Sequence, residues 1–142
     1  MIIQMNEFTS HVGEIMMYCQ CIEHDIKEIY LSFFKDNREE VLQKMNEEKW
    51  TLGMIVTALK EADKAPRARL FDDPDYSILF STVRLRNYYA HQVFLSFCYE
   101  IDEEKFEASY NQAAKRLLSE RKLLSSLYGR VEDVRIKLQE KA

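Results

Sequence analysis

The chain has 142 residues, of which 46% are hydrophobic, and a net charge of −4, which is enough for one domain with a core of its own. Three glycines and two prolines are far below average usage, and that excludes a turn-rich β protein. The acidic balance excludes a molecule that attracts nucleic acid over its whole surface, so any such binding rests on a local basic patch, doubled by dimerisation.

Apolar residues at Phe8, Val12, Ile15, Cys19, Ile22, Ile26, Ile29 and Phe33 step by fours and threes. That pattern predicts a first helix from about Asn6 to Phe34, packed lengthwise against neighbours. Asn37, with Glu40 three residues on, reads as a capping box for a short second helix carrying Val41, Leu42 and Met45. Thr51 caps a third, Leu52 to Leu59. The periodicity then breaks between Ala62 and Pro74. Lys64-Ala65-Pro66-Arg67-Ala68-Arg69 forms a basic segment there, either a solvated loop or a lip beside a phosphate cleft, and Asp72-Asp73-Pro74-Asp75 an acidic turn.

A long helix is expected from Asp75 to about Glu100, with Leu79, Val83, Ala90, Phe94 and Phe97 on its core face. Asp102 caps the last segment, with Glu103 and Glu104 in the first turn. Its stripe is Phe106, Tyr110, Ala113, Leu117, Leu124, Leu127, Val131, Val134 and Leu138, interrupted only by Glu120. Gly129 is expected to bend or divide this segment. The fold expected is all-α, an antiparallel bundle of about four main helices in a single domain over residues 1–142.

Cys19, Cys21 and Cys98 are odd in number and lack framework spacing, which fits a reducing compartment. The first residues show no charged region followed by an apolar run. No stretch approaches the ~20 apolar residues of a membrane span. A cytoplasmic protein without membrane contact is therefore expected. Cys19-Gln20-Cys21 with His24 makes a poor metal clamp, because cysteines two apart on a helix point ~200° apart. Cys98 reads as a buried inert thiol, and Lys115-Arg116 with Arg121-Lys122 as a solvated helix face or, less often, an RNA track.

The chemistry is concentrated in Arg84-Leu85-Arg86-Asn87-Tyr88-Tyr89-Ala90-His91. On a helical wheel Arg84, Asn87 and His91 share one stripe, while Arg86 lies ~140° from His91. RNA cleavage needs a base for the 2′-hydroxyl, an acid for the leaving 5′-oxygen and positive charge at the phosphate. Histidine serves either proton role, and arginine donates two parallel hydrogen bonds to phosphoryl oxygens. In the plain structural reading, Arg86 pairs with a carboxylate, Glu120 being a candidate, and His91 is a hydrogen-bonded structural residue.

Arg86-Asn87-Tyr88-Tyr89-Ala90-His91 resembles the Arg-x4–6-His signature of the HEPN superfamily, in which a polar residue commonly follows the arginine. The resemblance implies a helical-bundle endoribonuclease that needs no metal or cofactor, commonly a homodimer with two signatures facing across a cleft. It implies Arg86 as phosphate binder, His91 as acid–base or substrate-orienting residue and Asn87 as the supporting polar group, with Arg84 and Tyr88 as further substrate-binding candidates. Arg84 also satisfies the spacing. Many such ribonucleases are toxins or anti-phage effectors, so RNA and an antitoxin or regulatory protein are the implied partners, and DNA is not. Toxins of this superfamily that pair with a minimal nucleotidyltransferase antitoxin carry a tyrosine two positions after the histidine, where this chain has Val93. The alternative is a non-catalytic helical module that binds nucleotide, RNA or a partner protein.

Overall fold

The structure, a computed structural model, describes residues 1–65 and 67–141. Five α-helices follow one another: α1 (Met5–Leu31), α2 (Arg38–Glu47), α3 (Leu52–Ala62), α4 (Asp73–His91) and α5 (Glu103–Glu140). Short 3-10 turns follow α1 at Ser32–Asn37 and α4 at Phe94–Ser96. There is no strand among the described residues, and the chain is an all-α helical bundle. No helix among them is long and apolar enough to cross a membrane.

The seams read from the sequence in α1 and α5 are the core. Phe8, Val12, Ile15, Cys19, Ile22, Ile26 and Ile29 are buried against Tyr110, Ala113, Leu117, Leu124, Leu127 and Val131. Tyr110 donates to the Ile3 carbonyl, Arg121 binds Glu14 and Arg135 ion-pairs with Asp25. These partners climb both helices together, so α1 and α5 run parallel. α4 is antiparallel to both. Its start meets α5 at Asp75–Arg130 and its last turn at Tyr89–Glu120, while Arg86 meets Glu23 and, just beyond the helix, Phe94 meets Phe8. One end of the bundle is closed by Phe8, Phe97 and Tyr110, whose ring centres lie 5.2–5.3 Å apart.

Thr51 and Asp102 cap α3 and α5 as expected, accepting from Met54 N at 3.3 Å and Lys105 N at 3.0 Å. The connection from α3 to α4 turns about Asp63, which is buried. Its carboxylate accepts from Leu70 N, Phe71 N and the Tyr76 hydroxyl at 2.7, 3.1 and 2.6 Å. Pro66, within the basic segment of this connection, lies outside the described residues. On either side of it Lys64 pairs with Glu61 and Arg69 with Asp73.

Several expectations are corrected. α5 is one unbroken helix of 38 residues through Gly129. Burial of Leu124, Leu127 and Val131 on α1 outweighs the ~1 kcal/mol that glycine costs mid-helix. α1 stops at Leu31, and the 3-10 turn shifts the phase so that Phe33 is exposed. Asn37 occupies the N-cap position of α2, but its side chain accepts no capping bond. α4 ends at His91 rather than near Glu100. Its core face is Tyr76, Leu79, Thr82, Leu85 and Tyr89, while Ala90 is exposed. The rotation follows from size: burying the Tyr89 ring removes far more apolar surface from water than burying a methyl group. Cys98 is exposed, because the chain beyond His91 has left the helix that would have buried it.

Candidate active site

The last three turns of α4 distribute the candidate residues over three directions. Arg84, Asn87 and His91 are exposed on one stripe, as their spacing requires. Arg86 projects toward α1, where Nη1 donates to Glu23 Oε2 at 2.6 Å, and the two side chains are about one-third exposed (31% and 35%). Tyr88 projects toward α5, where the Arg116 guanidinium lies over its ring, 3.7 Å from the centre. The fold thus brings Arg84, Asn87 and His91 together, and carries Arg86 and Tyr88 to opposite flanks of them.

Arg86 is indeed paired with a carboxylate, but with Glu23 rather than Glu120. Glu120 serves a different pair: its Oε1 accepts from the Tyr89 hydroxyl at 2.6 Å and from Arg116 Nε at 2.7 Å. Burial, reinforced by this bond, drives the Tyr89 phenol far above its ordinary range. Cys19 sits near the Arg86–Glu23 pair, and burial pushes its thiol up to about 11. His91 occupies the last turn of α4. Val93, two residues further on, is buried.

Between the end of α4, the following turn and α5 lies a pocket of about 310 Å³ lined by Tyr88, Ser96, Ser109, Gln112, Ala113 and Arg116. A second cavity, of about 230 Å³, lies at the other end of the bundle among Ile29, Leu31, Arg38, Arg135 and Leu138. It is roughly 30 Å along α1 from the level of His91. Glu23 was not singled out from the sequence, and Arg116 was read there only as part of a solvated helix face or an RNA track. Glu23 stands one turn beyond Cys19, beside the α1 seam, and Arg116 four residues before Glu120; such spacings mark pairs only once the partner helix is known.

The chain matches no family model, and comparison with curated proteins and with solved structures gave no match.

Proposed function

We propose that this protein is a HEPN-type endoribonuclease that works without a metal and acts as a homodimer, in which the exposed stripe of Arg84, Asn87 and His91 meets RNA. The observation that carries this reading is the alignment of a cation, an amide and a histidine, all open to solvent, on one face of the last turns of α4. His91 takes the proton of the ribose 2′-hydroxyl as its oxygen attacks phosphorus. The bond from phosphorus to the 5′-oxygen breaks, and that oxygen receives a proton from a second copy of the stripe. The products are a 2′,3′-cyclic phosphate and a 5′-hydroxyl, and no water is consumed. Arg84 neutralises the charge that grows on the phosphoryl oxygens, and Asn87 orients them. Arg86, tied to Glu23, holds α4 in register on α1.

The roles of the two arginines separate experimentally. Arg84→Ala should lower kcat/KM for single-stranded RNA by about 10²-fold or more. Arg86→Ala and Glu23→Ala should resemble each other, with a smaller loss that follows stability. If Arg86→Ala abolishes cleavage while Glu23→Ala retains it, Arg86 is the phosphate ligand and Arg84 is not. The family resemblance also supports a toxin or anti-phage role, held in check by an antitoxin or regulatory protein. Induced expression in bacteria should then arrest growth with the wild type and not with His91→Ala.

A second reading is a non-catalytic module that binds nucleotide, RNA or a partner protein. The Arg86–Glu23 pair favours it, since that arginine is already neutralised, as do Phe80, one turn before Arg84, and Met54, both exposed and lining one groove between α3 and α4. RNA left intact by the purified protein would select this reading.

A further inference from the structure

The pocket between α4 and α5 contains a cation fixed before any ligand arrives. Arg116 is nearly half exposed (46%), yet it is held from two sides, by the Tyr88 ring at 3.7 Å and through Nε by Glu120 at 2.7 Å. Glu120 is itself anchored by the Tyr89 hydroxyl at 2.6 Å. Tyr88 and Tyr89 pack edge to face, with ring centres 5.0 Å apart. An arginine free in solvent must lose rotamer freedom when it binds an anion, whereas this one has already lost it. Nε is committed to Glu120, which leaves the N–H groups of both terminal nitrogens for a phosphate.

The remaining polar lining is two serines and a glutamine, Ser96, Ser109 and Gln112. Hydroxyls and an amide of this kind complement ribose hydroxyls and base edges. Ser96 Oγ donates to the Val93 carbonyl at 2.6 Å, so its oxygen is presented as an acceptor. His91 stands one turn beyond Tyr88 on α4. The space, about 310 Å³, is at the small end of ligand pockets and of the size of one nucleotide.

We propose that Tyr88, Ser96, Ser109, Gln112 and Arg116 form a nucleotide subsite beside the Arg84–His91 stripe, with Arg116 taking the phosphate next to the scissile one on single-stranded RNA. This rests on the ribonuclease reading for the word scissile, but the subsite binds whether or not the chain is cut. It assigns α5 a part in substrate binding and places the bound strand across the end of α4 toward α5, rather than toward α1.

The test uses a fluorescent 2′-O-methyl oligonucleotide, which lacks the attacking hydroxyl, so that binding is measured without turnover. Arg116→Ala should weaken binding by about tenfold and make the slope of log affinity against log salt shallower by about 0.7, the share of one phosphate contact on a single strand. Arg130→Ala removes an equal charge from the part of α5 that pairs with Asp75 and should leave both quantities unchanged. Ser109→Asp adds a negative charge to the pocket without touching the Tyr89–Glu120–Arg116 chain, and should reduce binding at least as much as Arg116→Ala. Wild-type protein that binds no oligonucleotide, or Arg116→Ala and Ser109→Asp proteins that bind like Arg130→Ala, would overturn the subsite. Loss of cleavage activity with these binding effects intact would instead remove the ribonuclease reading and leave the subsite standing.

Discussion

Tyr89 and Tyr76 each combine a buried ring with a hydroxyl bonded to a carboxylate, Glu120 in one case and Asp63 in the other. Burial, then the bonded carboxylate, raises both phenols far above their ordinary value. In the unfolded chain they ionise near pH 10. Below that pH both states keep the protons and the stabilisation is complete. Above it the unfolded chain sheds protons that the folded chain retains, so stability falls as pH rises. Stability to urea should therefore decline above about pH 10, and the tyrosinate absorbance of these two residues should appear only with unfolding. Their ionisation in folded protein at pH 10–11 would contradict this account. The thiols differ in the same way. Exposed Cys98 should react with a disulfide reagent at once in native protein, and Cys19, with its thiol raised to about 11, only after denaturation.

At the scale of elements, what was legible in the sequence depended on how each helix divides its surface. α1 and α5 bury plain aliphatic residues on one seam, and the four–three stepping located nearly all of them. α4 does not, since Tyr76, Thr82 and Tyr89 face the core with polar tips while apolar Ala90 faces out. A wheel scored by apolarity therefore turned the helix by about a quarter, and no glycine or proline after His91 marked its end. The direction of Arg86 was invisible for the same reason, because it depends on which way Tyr89 turns the helix. Asp63 was not visible at all, since its three donors come from a loop and from α4. Its removal should be costly: Asp63→Ala leaves a buried N–H group, a half-buried one and a buried phenol without their acceptor. A loss of about 2–3 kcal/mol is expected in urea unfolding. Gly129 points the other way. It lies within α5 with open space where a side chain would begin, so Gly129→Ala should stabilise the fold by about 0.5–1 kcal/mol. A loss of stability would show that the position is tightly packed.

For the whole molecule, the arrangement explains why the catalytic proposal needs two copies. One protomer presents Arg84, Asn87 and His91 on an exposed helix face, and a second proton carrier is not within that stripe. In the proposed dimer a second copy set against it would supply one and close a cleft. Light scattering should therefore give a dimer at the concentrations where RNA is cut. Excess inactive His91→Ala protein mixed with wild type should suppress cleavage through heterodimers, because each such pair keeps only one of the two histidines that the step needs. A monomer that cleaves at full rate would remove the shared-site account while leaving the bundle itself untouched.

The most direct measurement is end-group analysis of a single-stranded RNA incubated with purified wild-type protein and, in parallel, with folded His91→Ala protein. The account predicts 2′,3′-cyclic phosphate and 5′-hydroxyl ends from the wild type, with loss of cleavage by at least about 10²-fold in the variant. Intact RNA in both reactions, or equal cleavage by both proteins, would contradict it.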